Sequence, residues 1–327
     1  MAGIVLGVGT SHSPLLTLEA GDWAAWAERD HTSRLLFDEH GINVTYDERL
    51  AQAGDAFRPL VGLEQFVEAR ARSCVALDLL AARIADAALD ALVIVGDDQD
   101  EYLREDNLPA LVVYWGDTIY NGSAHAPHER TPLAQRGMLG YLEDGPGREY
   151  PVASALAGHL IDVMLARDID VASARTLRDP GRTMGHAFGF PMRRLVPSEV
   201  PIVPVMVNTY NPPTRPRAQR CVDYGRAIRA AIDSFGGRVG VMASGGLSHF
   251  LLLEDLDRRV IDALARGDLD DLARIPEPVY RAGTSEIKTW ITVAAACHDL
   301  SFDLVDYIPV CRTLAGSGIG LGFATWC

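Results

Sequence analysis

Continuous apolar runs alternate along this chain with amphipathic segments and polar loops. The clearest runs lie at residues 4–8 (IVLGV), 91–95 (ALVIV) and 239–243 (VGVMA), and each passes directly into a polar tip. Such runs predict strands that are buried on both faces. The last of them continues through Gly245-Gly246, which allows a tight turn before Ser248 and His249. The pattern therefore predicts three strands that each present polar side chains at the carboxyl end.

Amphipathic segments separate these runs. From residue 63 to about residue 88, apolar side chains recur at steps of three and four, which predicts one long helix leading into the second strand. Further helices are predicted at 151–167, 217–235 and 284–296, and further strands at 108–114, 169–174, 200–207, 302–309 and 318–325. Helices followed by buried strands are typical of α/β proteins. We expect a central, mostly parallel mixed sheet flanked by helices, with the active site at the carboxyl ends of its strands.

Two polar segments interrupt this order, at 31–58 and 115–150. Neither shows a long apolar periodicity, and long loops inside a compact enzyme are usually functional, disordered or used in oligomer contacts. The whole chain of 327 residues is 48% apolar and long enough to bury a large core. We therefore expect a single catalytic domain over residues 1–327, with these two segments as excursions from it.

Charge and cysteine usage narrow the function classes. The formal charge is −14, from 44 acidic and 30 basic residues, which argues against nucleic acid or an anionic membrane as partner. The five cysteines are scattered without a CxxC pair, as in reduced intracellular proteins. The N-terminal residues indicate a first strand rather than a signal peptide, and no stretch is apolar enough to span a membrane. We expect a cytoplasmic protein.

Three histidines and one glutamate are candidates for chemistry. His12 and His249 sit at predicted strand ends, and His186 lies between glycines in the aromatic stretch MGHAFGF. Glu286 opens a predicted helix, where a carboxylate ordinarily serves the helix dipole. A loop histidine alone usually hydrogen-bonds locally. Imidazoles that converge with a carboxylate, however, are what a metal site or an acid/base site requires.

The sequences around these residues resemble a known family. GTSHSPLL around His12, SGGLSH around His249 and GTSEIKTW around Glu286 are similar to the class III extradiol ring-cleaving dioxygenases of the LigB type. GHAFGF and VNTYNPPTRPRAQRCVDYGRAI resemble the branch that includes gallate and 3-O-methylgallate dioxygenases. The resemblance implies an Fe(II) ion held by two histidines and one glutamate, with another histidine as acid/base. The implied substrates are a small aromatic diol and O2.

Residue by residue, the resemblance assigns roles to four side chains. His12 and Glu286 match iron ligands, and His249 matches the acid/base histidine. His186 matches a further active-site histidine close to substrate and oxygen.

Three more residues are expected to contact the substrate. Ser13 stands where a small hydroxyl residue would touch it, and the tip after the strand at 200–207 offers Asn208 and Tyr210 to position it. A substrate carboxylate would need a cation, for which Arg58, Arg130 and Arg182 are candidates by their loop locations.

The second metal histidine departs from the family pattern. After a buried strand the pattern has Asp-His, whereas this chain has Asp98-Gln99. Gln99 is the positional match for the third metal ligand, although an amide oxygen binds iron more weakly than an imidazole does. Asp100 or Glu101 could take its place after a small register shift, or a histidine could reach in from the long loop, namely His125 or His128.

Two other functions remain open at this point. The same pocket could carry out metal-assisted hydrolysis or acid/base chemistry without oxygen, because Gln99 replaces histidine. The chain could also be a non-catalytic subunit or binding protein, although that role would not require His12, His249 and Glu286. The leading hypothesis is an Fe(II)-dependent extradiol dioxygenase acting on a catechol- or gallate-like aromatic acid. We expect a homo-oligomer on general grounds.

Overall fold

The fold is that of a computed structural model, which describes residues 3–124, 132–177 and 183–327. Its strands, in chain order, are β1 (Gly3–Thr10), β2 (Ala91–Gly96), β3 (Leu111–Tyr114), β4 (Thr118–Asn121), β5 (Arg148–Pro151), β6 (Ala172–Ala174), β7 (Ile202–Val207), β8 (Arg238–Ser244), β9 (His249–Leu251), β10 (Phe302–Cys311) and β11 (Ser317–Trp326). Its α-helices are α1 (Ala20–Ala27), α2 (Tyr46–Ala53), α3 (Leu63–Asp86), α4 (Pro132–Leu139), α5 (Ser154–Leu165), α6 (His186–Arg194), α7 (Ala218–Phe235), α8 (Glu254–Arg266), α9 (Leu269–Arg274) and α10 (Ile287–Ala296).

One large mixed sheet forms the centre of the molecule. Its order is β10-β11-β1-β8-β2-β7-β3-β6, with the short strand β9 paired to β11. The four central strands β1, β8, β2 and β7 run parallel to one another, whereas β11 runs antiparallel to β1 and to β10. The expected fold class, an α/β protein with a mostly parallel mixed sheet flanked by helices, is confirmed.

The apolar runs are continuous because both faces of the central sheet are covered. Along β2, Val93 and Val95 belong to one hydrophobic core, and Leu92 and Ile94 belong to the core on the opposite face. All four side chains are fully buried. Helices α5, α7 and α10 supply much of the first core, whereas α3 and α6 contribute to the second. Alternate side chains of each strand therefore enter different layers.

A small residue in β1 brings α10 close to the sheet. A Cβ atom on Gly9 would lie 2.3 Å from the Trp290 ring, so only glycine permits this approach. The Trp290 indole N–H also donates to the carbonyl oxygen of Gly245, at 2.8 Å. These contacts fix the N-terminal end of α10, and Glu286 immediately precedes it, at the edge where β1 and β8 end.

The long helix at 63–88 and the helix at 217–235 are confirmed within two residues at each end, as α3 and α7. The segment 115–150 was expected to be a polar loop, and this is wrong in part. It contains α4, the strand β4 and most of β5, which pairs with β4 as a two-stranded ribbon. Pro151 ends β5, so the following helix begins at Ser154 rather than at that proline.

Two further local expectations are corrected. The sequence around His186, where no helix is predicted, forms α6 in spite of Gly189 and Pro191 within it. The predicted helix at 284–296 starts as a 3₁₀ turn, Ala282–Glu286, and becomes α-helical only at Ile287. Within the described ranges, no helix is both long enough and apolar enough to cross a lipid bilayer.

Candidate active site

Polar side chains from four separate parts of the chain meet at the carboxyl edge of the parallel strands. His12 follows β1 by two residues, and Gln99 follows β2 by three. His249 comes shortly after β8 and opens β9, while Glu286 reaches the same place from the turn before α10. Because β1, β8 and β2 are neighbours in parallel register, their tips converge. The predicted convergence of His12, His249 and Glu286 is therefore present in the structure.

Glu286 lies between two imidazoles. Its Oε2 atom is 3.3 Å from Nε2 of His12 and 3.4 Å from Nε2 of His249. The backbone N–H of Gly246 donates to the same oxygen, at 2.6 Å. Burial alone would raise the pKa of Glu286, but the nearby imidazoles of His249 and His12 lower it to about 2. This carboxylate is therefore held in the ionised form.

A second buried carboxylate, Asp97, lies on the other side of His12. Its Oδ1 atom is 3.6 Å from Nε2 of His12 and 3.7 Å from Nε2 of His186. Burial, together with the negative charge of Glu286, raises the pKa of Asp97. Both Oδ1 of Asp97 and Nε2 of His12 are buried without a hydrogen bond of good geometry. Unpaired polar atoms of this kind are costly in a protein interior unless another group satisfies them.

Gln99 links the two carboxylates. Its amide nitrogen Nε2 donates to Oδ2 of Asp97 and to Oε1 of Glu286, both at 3.1 Å. Because both neighbours are carboxylates, the NH2 group rather than the carbonyl oxygen must face them. In this arrangement Gln99 orients two anionic oxygen ligands.

His186 is fixed by Glu101. Its Nδ1 atom is 2.5 Å from Oε2 of Glu101, and its backbone N–H donates to Oε1 of the same residue, at 2.9 Å. Burial would lower the pKa of His186, but the charges of Glu101 and Asp97 raise it to about 10. The nitrogen and oxygen ligand atoms of His12, Asp97 and His186 lie within 4.8 Å of one another, close enough to share a metal ion.

His249 is held with one ring nitrogen free to act. Its Nδ1 atom is 2.9 Å from the carbonyl oxygen of Leu247, which fixes the proton on Nδ1 and leaves Nε2 as the acceptor. Two glycines make room for the ring, since a Cβ on Gly246 or on Gly283 would lie 2.1 or 2.4 Å from His249 atoms. The next residue, Phe250, has φ of 66°, a strained value for a bulky side chain.

These groups open onto a cavity of about 200 Å³. An apolar cavity of roughly 150 Å³ is known to hold a benzene molecule, so the space fits a substituted single ring. The polar floor includes His12, Gln99, His186, His249 and Glu286. The other lining residues are Ser13, Pro14, Leu15, Trp26, Glu101, Met138, Tyr141, Phe250, Gly283, Arg312, Gly318 and Ile319.

Some residues expected at the site lie elsewhere. Neither Asn208 nor Tyr210 lines the cavity, and the Asn208 amide donates to the carbonyl oxygen of Asn211 and to Thr214 within its own turn. Burial and the charge of Glu286 raise the pKa of Tyr210 to about 12, so its phenol stays neutral. Contact of these two residues with substrate stays a prediction, whereas Ser13 does line the cavity.

Three of the alternative metal ligands and candidate cations for a substrate carboxylate lie within the described residues. Asp100 is exposed and accepts a hydrogen bond from Asn211, and Glu101 is bonded to His186. Arg58 is exposed and pairs with Asp55 outside the cavity. The other candidates lie outside the described residues: His125, His128, Arg130 and Arg182.

The sequence reasoning missed two residues of the site. Asp97 follows β2 directly, and its position at a strand end was an available signal, but it stood within a run of acidic residues. Arg312 lines the cavity from the turn between β10 and β11. No spacing in the sequence connects it to the other site residues.

Comparison with known proteins identifies the family of this chain. A family model described as the catalytic LigB subunit of aromatic ring-opening dioxygenase matches residues 144–322. The chain is 33% identical over 116 residues to gallate dioxygenase from Pseudomonas putida, which covers 33% of this chain and 32% of that protein.

Two proteins named 2,3-dihydroxyphenylpropionate/2,3-dihydroxicinnamic acid 1,2-dioxygenase also match. The one from Comamonas testosteroni is 30% identical over 149 residues, covering 43% of each chain. The one from Mycolicibacterium gilvum is 31% identical over 146 residues, covering 43% of this chain and 44% of that protein. The matches span less than half the length of these relatives. The family model covers more than half of this chain, and so the chain belongs to the LigB family of aromatic ring-opening dioxygenases.

Proposed function

We propose that this chain is a non-haem Fe(II)-dependent extradiol dioxygenase that opens the ring of a catechol- or gallate-like aromatic acid with O2. The observation that carries the proposal is the convergence of His12, Glu286 and His249 in one cavity of single-ring size. Membership in the LigB family and the names of the relatives support ring cleavage as the reaction class.

The residues present fit a divalent cation. Nε2 of His12 and Oδ1 of Asp97 are buried and unpaired, and Glu286 adds an ionised carboxylate 3.3 Å from His12. One imidazole with two carboxylates is a hard ligand set that suits Fe(II) or Mn(II). We propose that His12, Glu286 and Asp97 hold the metal. Direct ligation by Gln99, which stands where the family pattern has its second metal histidine, is the alternative. We favour an orienting role because the NH2 group of Gln99 donates to both carboxylates.

When bound, the iron would act as a Lewis acid that lowers the pKa of the diol and brings it next to oxygen. His249 would supply the proton transfers. Its ring lines the cavity, and its Nδ1 proton is held by the carbonyl oxygen of Leu247, so Nε2 would be able to accept a proton from the second hydroxyl and return it during ring opening.

His186 and Ser13, which both line the cavity, would orient the substrate. The proton shared by His186 and Glu101 leaves Nε2 of His186 directed at Asp97, beside His12. A protonated imidazole there would stabilise negative charge that develops on the substrate oxygens. Trp26, Phe250 and Ile319 provide apolar wall that holds the ring and excludes water.

Oxygen consumption tests the proposal. The purified chain would be loaded anaerobically with Fe(II) and supplied with protocatechuate, gallate, 3-O-methylgallate and catechol in turn. We expect rapid oxygen uptake with at least one diol. No uptake by folded, iron-loaded protein would contradict the proposal. Tight binding of zinc or manganese without uptake would favour a hydrolase or acid/base enzyme, and failure to bind any metal would favour a binding subunit.

We further propose that residues 1–327 form a single domain. We also propose that the protein acts in the cytoplasm as a homo-oligomer. Its net charge of −14 is consistent with a protein that binds neither nucleic acid nor anionic membranes.

A further inference from the structure

A buried arginine lines the wall of the cavity. Arg312 follows β10 directly and is only 7% exposed. Its Nε and Nη2 atoms donate to the two carboxylate oxygens of Asp30, at 2.8 and 3.2 Å. Asp30 is 4% exposed and also accepts a hydrogen bond from Ser317, at 2.7 Å. Asp30, which is itself held by Ser317, therefore fixes the position of the Arg312 guanidinium.

This pairing leaves part of the guanidinium available. Arginine has five N–H donors in a planar fork, and Asp30 occupies the edge formed by Nε and Nη2. Among the described residues, none accepts a hydrogen bond from Nη1 of Arg312. The second edge of the fork, Nη1 with the remaining proton of Nη2, has the geometry that binds a carboxylate through two parallel hydrogen bonds.

The surroundings make this cation distinctive. Of the residues described around the cavity, Arg312 is the only arginine or lysine. The other ionisable lining groups are the phenol of Tyr141, the carboxylates of Glu101 and Glu286, and the imidazoles of the floor. An arginine with only a structural role would not need to line this cavity. An anionic substituent entering this cavity has Arg312 as its natural partner.

We propose that Arg312 binds the carboxylate of the aromatic substrate and thereby selects acids over neutral diols. This inference rests on the proposed ring-cleavage function for the identity of the ligand. The ring would lie between the polar floor and Arg312, so that the hydroxyl groups face His249 and Glu286 while the carboxylate faces the guanidinium. Asp30 acts as a positioning residue, since it holds the fork in place before the substrate arrives and so reduces the entropy lost on binding.

The simpler reading is that Arg312 and Asp30 form only a structural ion pair, which would join the turn Glu28–Thr32 to the hairpin of β10 and β11. The two readings differ in one measurable respect. A structural pair would affect stability and the binding of all ligands alike. A carboxylate anchor would affect only ligands that carry the anion.

The test compares gallate with pyrogallol, which carries the same three hydroxyl groups but no carboxylate. Affinities would be measured by calorimetry on the metal-free protein and on the Zn(II)-loaded protein, both without oxygen. We expect the wild-type chain to prefer gallate by about 10- to 100-fold, the range of a charge-assisted hydrogen-bonded pair. We expect Arg312→Gln to remove this preference while the affinity for pyrogallol stays within about twofold.

Two further variants keep the test decisive. The double variant Asp30→Asn with Arg312→Gln leaves no unpaired buried charge at this pair. It replaces the single variant in the binding measurements if Arg312→Gln does not fold. Arg72→Gln is the matched control, because Arg72 pairs with Asp306 on β10 outside the cavity. The control should retain the preference for gallate.

Equal or absent binding of the two ligands by the wild-type chain would overturn the inference, as would a preference that survives loss of Arg312. Because binding is measured without turnover, these results are independent of oxygen uptake. If the chain prefers gallate through Arg312 but consumes no oxygen, the role of Arg312 as a carboxylate anchor stands and only the proposed ring cleavage is contradicted.

Discussion

Nε2 of His249 and Oε2 of Glu286 lie 3.4 Å apart, so the proposed base and a proposed metal ligand are in direct electrostatic contact. Once the base has taken a proton from the substrate, the imidazolium and the carboxylate would carry opposite charges at this distance and would attract each other. Base and metal ligand would therefore act as a unit, and loss of the imidazole should affect turnover rather than folding.

Replacement of His249 should be the most selective way to stop the reaction. We expect His249→Gln to lower kcat by about 100- to 10,000-fold, the range for a lost general acid/base, with little change in metal binding. Oxygen uptake with the best diol measures the effect. His159→Gln is the control, because His159 lies on α5 and contacts Ser234 away from the cavity. Equal losses in the two variants would contradict the assigned role.

Metal affinity should separate Asp97 from Gln99. We expect Asp97→Asn, which removes a charged ligand, to weaken binding by about 100-fold or more, and Gln99→Ala, which removes an orienting group, to weaken it by about 10- to 100-fold. Anaerobic equilibrium dialysis with Fe(II) provides the measurement. Asp100→Asn is a suitable control, because Asp100 is exposed and asparagine tolerates its φ of 63°. A larger loss for Gln99→Ala than for Asp97→Asn would instead identify Gln99 as the ligand.

Two glycines should be intolerant of alanine. A Cβ on Gly246 would lie 2.1 Å from Cε1 of His249, and a Cβ on Gly283 would lie 2.4 Å from its Cβ. Displacement of a catalytic group by about 1 Å can cost about 100-fold in rate, so we expect losses of that order for each variant. Gly158→Ala on α5, where a Cβ meets nothing within 4 Å, should keep full activity. Steady-state oxygen uptake by the three variants tests this expectation.

Stability should depend on pH through Asp257. This buried carboxyl accepts hydrogen bonds from the N–H and hydroxyl groups of Ser248 and from the Tyr307 hydroxyl, yet burial raises its pKa to about 7. Between about pH 4 and pH 7 the folded state therefore binds a proton that the unfolded state has released. Its contribution to stability is full below pH 4 and is lost as the pH rises, by up to about 4 kcal/mol.

Urea unfolding of the wild-type chain and of Asp257→Asn across that range isolates the effect. The free energy of unfolding of the wild type should fall relative to that of the variant as the pH increases from 4 to 7. Parallel profiles would show that Asp257 titrates at its ordinary pKa in the folded protein.

The elements that the sequence predicted correctly share one physical cause. The apolar runs that form β1, β2, β7 and β8 are buried on both faces. Strands of this kind are apolar at successive positions, and so they are easily recognised in the sequence. The apolar stripe of α3 is equally direct. Helix α6 was missed because its local residues argue against a helix. Gly189 is present for packing, since a Cβ there would lie 2.6 Å from the carbonyl oxygen of Tyr141.

Site residues could be predicted from the sequence mainly where they directly follow a recognisable strand. His12 and His249 were found because each follows an apolar strand, and the family motifs added Glu286. Asp97 and Arg312 depend on which side chains face one another after folding. Arg312 meets Asp30 across 282 residues of sequence, and no local pattern encodes such a pair.

The sheet order also determines how late in folding the candidate active site can form. β1 lies between β11 and β8, both of which are synthesised long after it, and His12 and Gln99 find their partners Ser244 and Glu286 across 232 and 187 residues. Pairings of such separation form slowly, and apolar strands awaiting them are prone to aggregate. The first two strands must therefore remain unpaired through most of synthesis, so this chain should depend on chaperones during translation and refold poorly from denaturant at high concentration.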